Sequence, residues 1–472
     1  MRPGQGRTIK PGRAVYRPCV FCRLALLPLL FADLGCSEEP QPHPRADAIV
    51  LITVDTLRAD RLGAYGSPLG LTPNLDLLAQ NSDRFNFAYA PAPFTLPSVA
   101  SMMTGRYPEE LGILKNSGKV PASVPTIAGR LHQQRWATGA VVSNFVLHPW
   151  SGLKSGFRNF DASFDEEEAN RGIRERTASS TTDAAIEMLE WLAVARPNFF
   201  FWVHYQDPHG PYTPPGDRRA RYLEHEHAAS GGRRSLELDP RGLGGLPDYQ
   251  FLEPHRDVGF YRAGYDGEVS YMDEQLGRLL GWLQARGVLK RTAVIFAADH
   301  GESFGEDDYW FAHGEHLNEA TLRVPLLIHV PGRAPRVRED LAALTDLSAT
   351  LLGLAGVAHD PESPGRDLLA PGAEAGASPG YFRTDPPTSE VARTGISDGK
   401  FKYLRAGGEE FLYRLPDESS NLAESEPGVL AELRASLEAV RARMGPAIEP
   451  QSPGLLKARK EQLEALGYGV DE

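Results

Sequence analysis

Two carboxylates and an adjacent histidine stand directly after two apolar runs of the sequence. Asp55 follows "IVLITV", and the pair Asp299-His300 follows "AVIFAA". A single carboxylate at such a position can serve as a helix cap or a hydrogen-bond anchor. Two carboxylates together with an imidazole suit one divalent ion, such as Ca²⁺, Mg²⁺, Mn²⁺ or Zn²⁺, with a position left for substrate. These residues therefore predict a metal site.

Thr95 opens the segment "TLPSVASMMTGR", which has Pro97 in its first turn and Gly105 as a stop signal. The pattern predicts a helix with Thr95 at or just before its N-terminus. One interpretation is an N-cap hydroxyl, which contributes about 1 kcal/mol. The other is a nucleophile, because a helix N-terminus attracts anions and a divalent ion makes a bound hydroxyl easier to ionise. The position of Thr95 leaves both interpretations open.

Two further segments are rich in histidine. "WVHYQDPHGPYTPP" carries His204, Asp207 and His209, and "DDYWFAHGEHLNEATLRVP" carries His313 and His316. A single histidine at a loop start can be a satisfied polar group. Because both loops are expected at the same sheet edge, a shared role in acid/base chemistry and in oxyanion stabilisation is the favoured interpretation.

The elements that must position these residues are short apolar runs alternating with helical patterns. Unbroken hydrophobicity is typical of strands buried on both faces, so the runs predict an α/β fold with a doubly wound, mostly parallel sheet flanked by helices. Ligands of such sheets lie beyond the carboxyl ends of the strands, where Asp55, Asn144 and Asp299 fall, and Asn144 is a candidate substrate-binding residue. The runs cover residues 47–54, 137–144, 198–205, 292–299 and 322–330.

Composition bounds the class of protein. Of the 472 residues 41% are hydrophobic and 24% are charged, which is typical of a folded globular protein. The formal charge of −12 excludes nucleic-acid binding by the whole surface. An anionic substrate would therefore have to be attracted locally.

Residues 1–36 resemble a secretion signal, with a basic start and a short apolar run before small residues. "DLGC" also resembles a bacterial lipoprotein box, although its aspartate is atypical, so attachment to a membrane through a lipidated Cys36 stays open. We expect an exported protein, either periplasmic or a cell-envelope lipoprotein. All cysteines lie in this segment, which excludes a disulfide or a thiolate metal site elsewhere: Cys19, Cys22 and Cys36.

The remaining chain divides by composition. Residues 37–46 are proline-rich and predict a linker, and residues 47–376 predict the catalytic domain. Within that domain, residues 216–258 form a charged insertion without clear periodicity, which predicts a surface loop whose His225 and His227 are solvated. Residues 377–425 predict a small antiparallel β subdomain, with turns at Asp398-Gly399 and Gly407-Gly408, and residues 426–472 predict a helical tail.

Taken together, these segments resemble the sulfatase family of the alkaline phosphatase superfamily, over roughly residues 46 to 425. The resemblance implies an α/β core with a small C-terminal sheet, and a metal-assisted attack on a sulfate or phosphate ester with a covalent intermediate. It also implies that Asp55, Asp299 and His300 bind the metal, that Thr95 is both nucleophile and metal ligand, and that His209 and His313 contact the ester. The stretches that carry it include "VLITVDTLRADRLGAYG", "APFTLPSVASMMTGRYP", "DPHGPYTPP", "FAADHGESFGE" and "HGEHLNEATLRVPLLI".

The sequence also departs from that family's pattern. Sulfatases usually have a Cys or Ser that is oxidised to formylglycine, in a Cys/Ser-x-Pro-x-Arg pattern, and here the five residues from Thr95 read "TLPSV". Oxidation of threonine, a secondary alcohol, gives only a ketone. The usual paired aspartates appear as Asp55-Thr56, and the expected lysine near Asn144 is absent. Phosphate, phosphodiester or phosphonate esters are therefore at least as strongly predicted as sulfate esters.

The resulting hypothesis is a metal-dependent hydrolase of anionic esters with a threonine nucleophile, in which His316 is a second candidate substrate-binding residue. Three alternatives stay open: a sulfuric ester hydrolase proper, a phospho-group transferase, and a non-catalytic binding protein. Transferases with a threonine nucleophile generally carry several membrane-spanning helices, whereas this chain has only a short signal. A retained ligand set argues against a binding protein. Neither the natural substrate nor the oligomeric state is predicted.

Overall fold

A computed structural model describes Met1 and residues 43–164, 166–167, 174–229, 233–376 and 379–448. Apart from Met1, the predicted signal with Cys36 lies outside the described residues, as do 37–42 of the predicted linker and 449–472 of the predicted tail. Residues 43–46, the end of that linker, are held against the last turn of a helix, where the Ala46 N–H donates to Leu354 O at 3.0 Å. Among the described residues, no helix combines the length and the apolar character needed to cross a membrane.

The strands in chain order are β1 (Ala48–Val54), β2 (Asp83–Phe85), β3 (Ala88–Tyr89), β4 (Ala137–Val142), β5 (Asn159–Asp161), β6 (Glu166–Glu167), β7 (Arg174–Glu175), β8 (Phe199–Tyr205), β9 (Thr292–Ala298), β10 (Ser303–Phe304), β11 (Trp310–Ala312), β12 (Leu326–His329), β13 (Arg336–Arg338), β14 (Ala342–Ala343), β15 (Gly380–Thr384), β16 (Arg393–Ser397), β17 (Phe401–Ala406) and β18 (Glu409–Arg414). The helices are α1 (Pro73–Ala79), α2 (Thr95–Thr104), α3 (Pro108–Leu111), α4 (Ile127–Gln133), α5 (Ala178–Ala195), α6 (Arg218–Ala229), α7 (Val258–Ala285), α8 (Glu319–Leu322), α9 (Asp346–Ala355) and α10 (Pro427–Arg443).

The central sheet has eight strands in the order β13-β2-β12-β9-β1-β8-β4-β5. Every residue of β1, β8 and β9 is buried, because helices cover the sheet. Helices α1, α5 and α7 pack together as one group, and α2, α4 and α9 pack together as another. The predicted doubly wound, mostly parallel sheet is confirmed. The run over 322–330 differs from the others, since β12 is antiparallel to both β9 and β2. Only a hairpin and a four-residue helix separate β9 from β12, so no long crossover helix returns the chain to a parallel start.

The C-terminal sheet is an antiparallel meander in the order β15-β16-β17-β18, which confirms the predicted small subdomain. Its turns fall at the two predicted glycine-containing pairs, Asp398-Gly399 and Gly407-Gly408. Helix α10 buries one leucine face against this sheet. The sheet is also joined to the catalytic domain by an edge-to-face contact between the rings of Tyr107 and Tyr381, whose centroids are 4.9 Å apart.

The insertion over 216–258 is partly helical, so the predicted loop is wrong for its first part. Helix α6 packs along α7, with the Arg219 guanidinium 3.8 Å from the Phe260 ring centroid. His227 Nε2 lies 2.5 Å from Asp257 Oδ1, whereas His225 is exposed as predicted. These contacts are polar or involve arginine, and hydrophobic periodicity therefore does not reveal the helix in the sequence.

Candidate active site

Three neighbouring strands carry ionisable side chains to one edge of the central sheet. Asp55 follows β1, Asp299 follows β9, and His204 is the penultimate residue of β8, paired in register with Thr53. All three side chains are buried, and their ligand atoms lie within 4.8 Å of one another. The carboxyl ends of the strands thus bring together a group of side chains that could hold a metal ion.

Each carboxylate of the cluster has one anchored oxygen and one without a partner. Asp55 Oδ2 accepts a hydrogen bond from the Asn144 amide, and Asp299 Oδ1 accepts from the backbone N–H groups of His300 at 2.7 Å and Thr56 at 3.3 Å. Asp55 Oδ1 and Asp299 Oδ2 are buried and have no hydrogen-bond partner among the described residues. Buried carboxylate oxygens are costly without a cation or a donor, so this arrangement fits a divalent ion.

His300 presents a ring nitrogen to the same two carboxylates. Its Nε2 lies 3.7 Å from Asp55 Oδ1 and 3.9 Å from Asp299 Oδ2. Its Nδ1 lies 2.9 Å from the carbonyl oxygen of Gly301, which assigns the proton to Nδ1 and a lone pair to Nε2. Glycine is required after His300 because a Cβ on Gly301 would lie 1.9 Å from the carbonyl oxygen of Ala320.

Thr95 is the first residue of α2 and is completely buried. The N-cap of α2 is Phe94, so the interpretation of Thr95 as an N-cap hydroxyl is wrong. Its Oγ1 instead lies 3.3 Å from His300 Nε2, at the edge of the cluster. Thr56, in place of the second aspartate of the usual pair, has a φ of +52° and a buried Oγ1 without a hydrogen-bond partner among the described residues.

The two histidines that are predicted to contact the ester, His209 and His313, lie close to His300. The His313 ring centroid is 4.5 Å from that of His300 and 5.4 Å from that of His209. His313 Nδ1 lies 3.1 Å from Glu302 Oε1, and the Tyr212 hydroxyl donates to Glu302 Oε2 at 2.9 Å. Burial raises the pKa of Glu302 to about 7, against the lowering effect of nearby histidines.

The two predicted substrate-binding residues have different surroundings. Asn144 holds Asp55 and accepts from the Val146 N–H at 2.8 Å, so its amide is used inside the cluster. His316 Nδ1 accepts from Arg393 Nη1 at 2.6 Å, where the C-terminal sheet meets the catalytic domain. None of the described contacts of His316 involves the cluster. A substrate contact for either residue stays a prediction.

The pKa values of the two carboxylates in the cluster are shifted in opposite directions. Burial acts to raise the pKa of Asp55, but electrostatic interactions with His209, His204 and His300 outweigh this effect and hold the pKa below the ordinary value. Burial and the neighbouring charge of Asp55 raise the pKa of Asp299. Burial lowers the pKa of His300 to about 4, which favours the neutral imidazole that a metal requires.

Two residues of this site were missed as site residues by sequence reasoning. His204 was noted in its segment but not among the predicted ligands, and Glu302 was not singled out. The available signals were the place of His204 at the end of an apolar run and of Glu302 two residues after His300.

Comparisons with known proteins show that this chain is similar to sulfatases in sequence and to a phosphonate monoester hydrolase in fold. A sequence model described as Sulfatase matches residues 47–357. The choline-sulfatase of Rhizobium meliloti (strain 1021) is 28% identical over an alignment of 449 residues that covers 83% of this chain and 85% of that protein. The iduronate 2-sulfatase of Homo sapiens is 28% identical over an alignment of 417 residues that covers 70% of this chain and 73% of that protein. The crystal structure of the phosphonate monoester hydrolase of Agrobacterium radiobacter has a similar fold, with a TM-score of 0.68, 20% identity, and coverage of 88% of this chain and 99% of that one.

Proposed function

The chain belongs to the sulfatase family and is a hydrolase of ester bonds, and from this premise we propose that it cleaves anionic phosphorus esters by direct attack of Thr95, with one divalent ion. The observation that carries the proposal is the Thr95 hydroxyl, which lies 3.3 Å from His300 Nε2 beside two carboxylates with unpaired oxygens. A secondary alcohol there cannot become the aldehyde on which sulfate release in this family usually depends.

Asp55, Asp299 and His300 would hold the ion, because their free oxygens and the Nε2 lone pair converge. The ion would supply positive charge that lowers the pKa of the Thr95 hydroxyl and neutralises an ester oxygen. Thr95 also begins a ten-residue helix, so the positive end of the helix dipole and the backbone N–H groups favour an anion in front of it.

The covalent step follows from these positions. Thr95 enters as the alkoxide, having released its proton to solvent, and its Oγ1 forms a bond to phosphorus while the bond from phosphorus to the leaving oxygen breaks. His313 donates a proton to that oxygen, and Glu302 holds its ring through Nδ1. A water molecule then gives its proton to His313 and attacks phosphorus while the bond from phosphorus to Thr95 Oγ1 breaks, which frees Thr95 and releases the phosphate or phosphonate product.

The test is hydrolysis of matched nitrophenyl esters by the purified protein with added Ca²⁺, Mg²⁺, Mn²⁺ or Zn²⁺. The esters are a phosphate, a phosphodiester, a phosphonate and a sulfate. Turnover of phosphorus esters should fall roughly 10³-fold or more in Thr95→Ala, as for other nucleophile deletions, and less in Thr95→Ser. Thr104→Ala is the matched control, because Thr104 lies at the far end of α2 and its hydroxyl makes local backbone contacts, donating to Ala100 O and accepting from the Arg106 N–H.

A sulfuric ester hydrolase is the second candidate, favoured by the identity to choline-sulfatase and iduronate 2-sulfatase. Dominant turnover of the sulfate ester would establish it and overturn the phosphorus-ester proposal. Full activity in Thr95→Ala would overturn the threonine nucleophile. If the metal binds but every ester is inert, the transferase and the binding protein become the stronger hypotheses.

A further inference from the structure

His204 has an unusual combination of burial and missing partners. It is completely buried near the end of β8, and its Nε2 has no hydrogen-bond partner among the described residues. The nearest carboxylate oxygen, Asp55 Oδ2, lies 3.6 Å away, which is too far for a hydrogen bond. A buried imidazole nitrogen without a partner is costly, so an additional group at this position would be favourable.

The contacts of the other ring nitrogen of His204, Nδ1, indicate which of the two nitrogens carries the proton. His204 Nδ1 lies 2.8 Å from Thr53 Oγ1, which also accepts from Trp202 Nε1 at 2.9 Å. The Thr53 hydroxyl has its own acceptor in Val203 O at 3.4 Å. With the hydroxyl proton directed to that carbonyl, Nδ1–H of His204 donates to Thr53, and Nε2 carries a lone pair.

A lone pair that faces a carboxylate needs a cation between them. The same situation occurs at His300, whose Nε2 also faces Asp55 with a lone pair. The hydrogen bond from Nδ1 to Thr53 is of the kind that fixes the ring orientation of metal-binding histidines. Trp202, which holds Thr53, is completely buried and packs on Phe157 with a ring-centroid distance of 6.0 Å, so this support is rigid.

We propose that His204 is a direct ligand of the divalent ion, together with Asp55, Asp299 and His300, and that the centre therefore prefers Zn²⁺ to Ca²⁺ and Mg²⁺. The inference rests on the metal dependence in the proposed function. The ligand set would then contain the imidazoles of His204 and His300 and the carboxylates of Asp55 and Asp299. Thr56 has a neutral hydroxyl at the position where a third carboxylate would favour harder ions. Ca²⁺ and Mg²⁺ prefer sets composed of oxygen atoms, whereas imidazole suits Zn²⁺ and its neighbours in the first transition row.

The competing explanation is that His204 only orients Asp55 from outside the ligand set. In that case its loss would change the geometry of Asp55 but not the identity of the ligands. The two explanations differ in metal preference and in the spectrum of a bound transition metal, neither of which depends on turnover.

The experiment compares the full chain with His204→Gln, and with His329→Gln as the matched control. His329 is also a strand histidine with one bond to a backbone carbonyl, at Asn81, and it lies near the surface. Equilibrium dialysis measures the affinities for Zn²⁺, Mn²⁺, Ca²⁺ and Mg²⁺, and visible absorption of the Co²⁺-loaded protein reports the ligands. We expect the Zn²⁺ affinity of His204→Gln to fall on the order of 10²-fold, with a changed Co²⁺ spectrum and little change for Ca²⁺.

Thr53→Val is the second variant, which keeps the test decisive if His204→Gln does not fold. It removes the acceptor that orients His204 and should lower Zn²⁺ affinity on the order of 10-fold. Unchanged Zn²⁺ affinity and an unchanged Co²⁺ spectrum in His204→Gln would overturn the proposal, even if the protein remains metal-dependent. Failure of the unmodified protein to bind any ion would instead overturn the metal dependence itself, and this inference with it.

Discussion

Two buried acidic groups of this protein differ in where their positive charge comes from. In the arginine cluster (Arg61, Glu226 and Asp266), Arg61 Nη1 lies 3.1 Å from Glu226 Oε1 and 3.4 Å from Asp266 Oδ2. In the metal cluster (Asp55, His204, Asp299 and His300), no arginine or lysine of the described residues pairs with either carboxylate. Both clusters bury two carboxyl groups, but among the described residues only the arginine cluster contains its own permanent cation.

The difference is the one expected between a cluster that stabilises the fold and a site that binds a cation. Arg61 joins the segment after β1 to α6 and α7, so the arginine cluster stabilises the fold without help from outside the chain. The metal cluster has unpaired oxygens and imidazole lone pairs, which an external cation would satisfy. Of these two clusters, only the metal cluster lacks a counter-charge from the described residues.

The largest expected effect comes from removing one carboxylate from each cluster. Asp299→Asn should abolish stable metal binding and lower kcat/KM roughly 10³-fold or more, because a ligand is lost. Asp266→Asn should leave both quantities close to those of the unmodified protein. Metal content by mass spectrometry and steady-state kinetics are the measurements, and a metal-free Asp266→Asn protein would remove the distinction between the clusters.

The second prediction concerns the internal cation. Arg61→Met should lower the free energy of unfolding by about 3 kcal/mol at pH 8, because Glu226 and Asp266 lose their buried partner. Added divalent ions should not restore that loss, since Arg61 lies outside the metal cluster. Chemical denaturation with and without ions measures it, and full recovery on adding metal would contradict the comparison.

The third prediction tests whether Glu302 lies outside the metal cluster. Glu302→Gln should lower kcat on the order of 10²-fold while KM and metal content stay unchanged, because His313 loses its charged hydrogen-bond partner. Its pH–rate profile should shift as well. Glu315→Gln is the control, since Glu315 is equally buried but pairs with Arg393. Loss of metal in Glu302→Gln would mean that Glu302 belongs to the metal cluster.

The smallest effect is a change in the pH dependence of stability. Burial raises the pKa of Asp266 from the ordinary 3.8 to about 8, despite Arg61. Between these values the folded protein retains a proton that the unfolded chain has lost, so the stability contributed by Asp266 falls as pH rises through that window. Asp266→Asn should therefore show a shallower decrease of Tm between pH 5 and pH 8. An identical slope in both proteins would show that Asp266 does not retain its proton.

Some features were predictable because they depend on local pattern. The unbroken apolar runs identified β1, β4, β8 and β9, and the turn glycines identified the C-terminal meander. Helix α6 was not predictable in this way, since its described contacts involve charged side chains: Arg219 packs on the Phe260 ring of α7, and Glu226 pairs with Arg61. The antiparallel direction of β12 was not predictable either, because strand direction depends on the connection between strands and not on the composition of the strand.

The sequence by itself determined which chemical groups follow the strands: carboxylates, imidazoles, and a threonine at the start of a helix. Only the tertiary structure decided which of them meet. Thr95 and His300 are 205 positions apart, and Thr53 and His204 are 151 apart, yet each pair is in contact. Such contacts depend on the order and register of the strands in the sheet, which no local pattern encodes. The place of His204 beside Asp55, and of Glu302 behind His313, follows from that packing.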